Sequence, residues 1–271
     1  MTIVNKVAVA AAAVIVLGTH IASAKDCKPK FKLDPVKAGV LTVALTNTPP
    51  YSFEDKSAVA GIDGDLVNSF AAANCLTVEY QIYTYPAAVS AIQSGRADVA
   101  IGGFYRTAAR AKVVALSVPV YLDQIAVESK KGFESVDQLH GHAVGTIEGY
   151  AWVNDMETLF EGSRTYPSSL NLAQDVKAGR LDAGLEGFGA ALMLTQGSDV
   201  QVKLLQADPR IAATTLASQT AFLLPLNNKD LIKAMDTTLT TYHGDGTVVK
   251  ALETHGLPAS AADVGEARVI Q

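Results

Sequence analysis

The chain has 271 residues, with 22 lysines and arginines against 27 aspartates and glutamates, a formal net charge of −5 and 49% hydrophobic residues. That length fits two modest lobes or one large domain, and the apolar share can fill a core. The composition has neither the basic excess of a nucleic-acid binder nor the charged, apolar-poor character of a disordered chain.

The first stretch reads as an export signal. Lys6 supplies a positive start, residues 7–18 an apolar run, and Ala22-Ser23-Ala24 a small-residue cleavage pattern, so residues 1–24 are expected to be removed. The apolar run is short for a bilayer span, and no later segment is apolar enough to cross one. Cys27 lacks the Leu-x-Gly/Ala that precedes a lipidated cysteine. Its one companion is Cys75, and two cysteines in an exported chain favour a single disulfide, with two free thiols as the other reading.

Residues 41–45 read as an apolar strand, followed at Pro49-Pro50 by a loop that can neither continue the strand nor start a helix. In Gly61-Ile-Asp-Gly-Asp-Leu66, Asp63 or Asp65 is expected to cap a helix whose inner face is Leu66, Val67, Phe70 and Ala71. Residues 78–83 alternate as a strand. Tyr85-Pro86 opens the next helix, with Ala88, Val89 and Ile92 as its stripe. Gly95 closes that helix, and residues 98–101 form a short strand buried on both faces. Gly102 and Gly103 follow at the strand's carboxyl end, where open α/β sheets bind ligands. Arg110 lies just beyond, with a forked cation suited to a carboxylate, and Thr107 adds a hydroxyl one turn earlier.

The spacing Gly95-Arg96-x-Asp98, then Gly103, Thr107 and Arg110, then Ser117-x-Pro119-x-Tyr121, resembles the extracellular solute-binding proteins of family 3, the amino-acid-binding components of ABC importers. The loop Pro49-Pro50-Tyr51-Ser52-Phe53 and the segment Gly61–Leu66 resemble the same family. The resemblance implies a type II periplasmic-binding-protein-like α/β fold: two α/β lobes, two extended hinge segments and a ligand cleft between the lobes. Thr48 stands where relatives often carry an aromatic residue against the ligand. By the same resemblance Tyr85 is a candidate wall of the site. Gly103 would offer its carbonyl to a ligand ammonium, and Tyr105, in place of a serine, would make that side aromatic.

Residues 124–129 are extended and are expected to cross to the second lobe. Residues 136–149 resemble the family segment that opens that lobe, with a strand over 143–147, a loop at Gly149 and a helix starting at Tyr150, whose N–H groups would face an anion. His140 and His142 lack the further ligands a metal needs. Gly179-Arg180-Leu181-Asp182 repeats the earlier Gly-Arg-x-Asp, so each lobe holds one such α/β unit with strand ends facing the cleft. Relatives commonly carry an aspartate at the end of this second strand, pairing the ligand's α-ammonium. Here that place is Gly187, with Glu186 beside it. Either Glu186 replaces the acid through a one-residue shift, or the ligand is a carboxylate without an α-ammonium.

Residues 219–226 form the expected return crossing, residues 230–239 an amphipathic helix, and residues 248–255 the last helix, capped by Gly256. The alanine-rich tail after Pro258 is expected to be loose. The organisation expected is a signal at 1–24, lobe 1 from 25–126 and 219–271, and lobe 2 from 127–218. The resemblance implies a monomeric periplasmic binder of an amino acid or organic acid that docks on an inner-membrane ABC permease, with no cofactor, metal or nucleic acid. The rival is a dehydratase-type enzyme of the same fold acting on a cyclic carboxylic acid, with Glu148 and Glu186 as the cleft acids.

Overall fold

Strand Val40–Thr46 is buried along nearly its whole length, as a strand covered on both faces must be. In the computed structural model, which describes residues 27–271, it pairs parallel with Thr77–Tyr83 on one side and Val99–Ile101 on the other. Leu223–Leu224 then adds antiparallel to Val99–Ile101, and Ala115–Leu116 completes a five-stranded sheet. The expected signal peptide lies outside the described residues.

A second five-stranded sheet repeats this plan. Arg164–Tyr166, Val144–Ile147 and Ala183–Gly187 run parallel, and Ile125–Ser129 and Gln201–Leu204 add antiparallel at the far side. The chain passes from the first sheet to the second through Leu122–Asp123 and returns through Ser218–Gln219. These two short strands pair antiparallel, Asp123 opposite Ser218. The crossing thus precedes the expected one, and Ile125 already belongs to the second sheet.

Each lobe buries its own core. In the first, Phe70 and Leu66 from helix Ile62–Ala73 share one cluster with Leu231, Met235 and Leu239 from helix Lys229–Gly244. The second packs Trp152, Met156 and Ile211 on its sheet. A further cluster runs between the lobes, from Tyr85 and Ala88 in helix Tyr85–Gln93 to Ile147 and Leu172 across the seam. Cys27 and Cys75 form a disulfide with Cα atoms 5.8 Å apart across 48 residues. In the chain-entropy account, closing that loop stabilises by about 4 kcal/mol.

The tail after Pro258 departs from the expectation of a loose end. Ile270 N donates to the Arg106 carbonyl at 2.9 Å, and Ala108 N donates to the Ile270 carbonyl at 2.8 Å. Gln219, on the return strand, donates to the carbonyls of Val264 and Glu266, both at 2.7 Å. Arg268 reaches the Ala217 carbonyl. The tail therefore straps the return strand to the segment 106–108. Its alanines gave no apolar pattern because backbone groups, Gln219 and arginine side chains make the attachment.

Candidate functional site

The site begins at the end of strand Val99–Ile101. Gly102 has φ +141°, and a Cβ there would lie 1.6 Å from Thr46 Oγ1, so only glycine fits. The N–H groups of Gly102 and Gly103 both donate to Asp63 Oδ2, at 2.8 and 2.9 Å, and Tyr121 OH donates to Oδ1 at 2.9 Å. Asp63 is thus spent on the glycine loop. Gly61 takes the N-cap position, with no side-chain cap. Burial lifts the Asp63 pKa to about 6, held back by those backbone donors. Asp65 pairs with His255 at the surface.

Thr107 caps the one-turn helix Ala108–Ala111, its Oγ1 accepting from Arg110 N at 3.1 Å. That cap aims Arg110 into the seam between the lobes. The residue is buried, 9% exposed. Nη1 donates to the Tyr105 carbonyl at 2.6 Å, and Nη2 donates to the Gly149 carbonyl of the opposite lobe at 2.8 Å. The charge lies 5.2 Å from the Phe104 ring centroid, a cation–π contact. Burial pulls its pKa down to about 10, countered by the neighbouring tyrosines, so it is charged at neutral pH. Among the described residues no ion pair includes Arg110.

Arg110 shares a cavity with Tyr51, Tyr85, Gly103, Tyr105, Asp123, Tyr150, Ala151, Trp152 and Gly187. Its volume is about 10 Å³, the room of a single water and too little for an amino acid. The lobes are shut on it. The rings form a continuous wall: Tyr85 is 4.8 Å from both Phe104 and Tyr150, and Trp152 is 4.8 Å from Tyr150 and 5.4 Å from Tyr105.

Of the expected site residues, the cavity gathers Tyr85, Gly103, Tyr105, Arg110, Tyr150 and Gly187. Thr48 lies behind the wall, its Oγ1 3.1 Å from the Tyr85 hydroxyl, which donates its own proton to the Gly102 carbonyl. Thr107 serves as a helix cap. Gly149, in the loop expected before the helix, meets Arg110 through its carbonyl, and the helix itself begins at Val153 rather than Tyr150. Glu186 is screened by Tyr150, whose hydroxyl donates to its Oε1 at 2.5 Å, and Gly187 N donates to the same atom at 2.8 Å. Burial raises the Glu186 pKa to about 7, against those donors. Glu148, the other acid of the dehydratase reading, is exposed and does not line the cavity. Among the described residues no cluster of three or more His, Cys, Asp or Glu could hold a metal.

Four lining residues escaped the sequence reading: Tyr51, Asp123, Ala151 and Trp152. Tyr51 and Trp152 come from segments recognised only as a loop and a helix start. Asp123 sits on the two-residue strand Leu122–Asp123, too short to show a pattern. Its carboxylate accepts from Tyr105 OH at 2.9 Å, and Tyr51 OH lies against it. Burial raises its pKa to about 6, held back by the two phenols.

Residues 41–257 match the bacterial extracellular solute-binding proteins, family 3. Over 238 residues the chain is 27% identical to the L-cystine-binding protein TcyJ of Escherichia coli (strain K12), covering 83% of this chain and 86% of that protein. Among solved structures, an ancestral arginine-binding protein bound to glutamine superposes with a TM-score of 0.71 at 24% identity, over 81% of this chain and 99% of the other. AbpA from Streptococcus pneumoniae bound to L-arginine gives 0.70 at 24% identity, over 84% and 97%. These structures share the two-lobed type II periplasmic-binding fold.

Proposed function

The chain belongs to the bacterial extracellular solute-binding proteins, family 3, and from that premise we propose that it binds an amino acid in the periplasm and delivers it to an ABC permease of the inner membrane. The family is one of solute-binding proteins rather than enzymes. Residues 1–24 serve as the cleaved export signal, and the protein acts as a monomer. TcyJ, a cystine binder by name, and AbpA, seen with L-arginine, support an amino-acid ligand.

One observation carries this reading: a buried, charged guanidinium whose two cleft bonds end on backbone carbonyls, one from each lobe. When the lobes part, the Gly149 carbonyl leaves Arg110, and a ligand carboxylate takes its place through a charge-assisted pair. Closure then presses the aromatic wall on the ligand. The ligand favours the closed state by the contacts it makes with both lobes at once.

The test is a calorimetric titration with the common L-amino acids and L-cystine. Arg110→Ala removes the carboxylate's partner and should weaken binding by roughly 30-fold or more, the lower end of a loss of about 2–5 kcal/mol. Far-ultraviolet circular dichroism should be unchanged. Undiminished affinity in this variant would overturn the assignment of Arg110.

A further inference from the structure

Asp123 is a buried carboxylate without a cation. It is 6% exposed and lines the same cavity as Arg110. Its side-chain neighbours are the phenols of Tyr105 and Tyr51, and among the described residues no ion pair includes it. Both phenols are themselves fixed. Tyr51 OH accepts from Gly189 N at 2.9 Å, and the Tyr105 ring packs on Trp152. The carboxylate is held in place by neutral groups that leave its charge unmatched, and burying a charge is costly unless it is paired.

Gly187 makes the room. A Cβ there would lie 2.6 Å from Asp123 Oδ2 and 3.1 Å from Tyr51 OH. Any side chain at 187 would occupy the space that the Asp123 carboxylate now fills. The backbone at 187, φ −61° and ψ 138°, suits an ordinary residue, so the glycine's use there is its missing side chain.

Tyr105 joins the two charges of the cavity. Its carbonyl accepts from Arg110, and its hydroxyl donates to Asp123. Cation and anion are therefore held about one tyrosine apart. A ligand that carries both a carboxylate and an ammonium can meet the two charges with a charge-assisted hydrogen bond at each end. The rings of Tyr51, Tyr105 and Trp152 line the same cavity.

We infer that Asp123, reaching in from the strand that links the lobes, is the acceptor for the ligand's ammonium group, and that the protein selects a zwitterion over the corresponding plain carboxylate. Glu186, behind Tyr150, takes no part in that contact. This rests on the solute-binding reading above. It adds a second anchor, which lies on the crossing between the lobes.

The experiment compares matched probes by calorimetry on the full mature chain: the common L-amino acids and L-cystine, with the desamino counterpart of each amino acid that binds. Glutaramate stands against L-glutamine, and 3,3′-dithiodipropionate against L-cystine. In the wild type the amino acid should bind roughly 30-fold or more tightly than its desamino counterpart. Asp123→Asn should shrink that preference to roughly threefold or less, mostly through lost amino-acid affinity. The double variant Asp123→Gly, Gly187→Asp should recover most of the preference, because it returns a carboxylate to the same space from the other strand.

Equal binding of the two probe types by wild type, with Arg110→Ala still abolishing both, would overturn the role of Asp123 and leave the carboxylate site standing. So would an unchanged preference in Asp123→Asn. If no probe binds wild type, the amino-acid reading and the role of Asp123 fall together. Should Asp123→Asn fail to fold, the wild-type comparison and the double variant decide.

Discussion

Glu128 shows what one buried side chain does to the pH response of the whole protein. It is 1% exposed, and neither carboxylate oxygen has a hydrogen-bond partner. Burial raises its pKa to about 8, the nearby Glu186 carboxylate adds to the rise, and Lys177 opposes it. Between the unfolded value of 4.5 and about 8, the folded chain holds a proton that the unfolded chain has released. Stability from this group is therefore fully present below pH 4.5 and is lost as pH rises towards about 8. Glu128→Gln removes the ionisation. Its melting temperature should exceed that of wild type at pH 8 and the gap should close towards pH 5, on the order of a few kcal/mol across the window. A gap that does not change with pH would mean that Glu128 is not the group responsible. At this scale Arg110 was legible in the sequence because a Thr-x-x-Arg after a glycine-ended strand has a local geometry. Asp123 was not. Its burial depends on Tyr51, Tyr105 and Gly187, which come from three separate stretches of chain, and no local pattern ties them to it.

The elements that could be read were those with a period. Strand Val40–Thr46, helix Tyr85–Gln93 and helix Lys229–Gly244 bury the faces that their apolar spacing assigns. The terminal strap has no period, and its order comes from partners far away in the chain. Gln219 is 2% exposed and gives both of its amide hydrogen bonds to that strap, while its Oε1 accepts from Arg268 N at 2.8 Å. Removing residues 264–271 leaves this buried amide without partners and uncovers the neighbourhood of Ile270. Each net hydrogen bond contributes about 1 kcal/mol, so the truncated chain should lose roughly 2–5 kcal/mol. Urea unfolding monitored by Trp152 fluorescence measures it. An unchanged midpoint would show that the strap adds nothing to the fold.

At the level of the whole molecule, the two lobes meet at a seam, and Gly149 is one of its tight points. Its φ is +78°, and a Cβ there would lie 2.8 Å from the Pro86 ring and 3.2 Å from Tyr85 Cβ. Gly149→Ala should keep each lobe folded, hold the seam apart and weaken the Arg110 contact across it. Small-angle scattering at saturating amino acid should then show a larger radius of gyration than wild type, with affinity reduced by roughly tenfold or more. Equal radii and affinities would mean that the seam tolerates the added methyl. The two-lobed plan was legible because Gly-Arg-x-Asp occurs twice, whereas the fit of the seam depends on side chains that no repeat records. The sheet order also bears on the making of the protein. All five strands of the second sheet lie in one unbroken stretch, residues 125–204, but the first sheet needs Leu223–Leu224 between Val99–Ile101 and Ala115–Leu116. A chain emerging amino end first can therefore finish its later half while its earlier half still waits with an unpaired strand edge, a surface prone to mispairing until residue 224 arrives. Cys27 and Cys75 lie wholly within that waiting half, so oxidation can staple its leading portion long before the last strand docks.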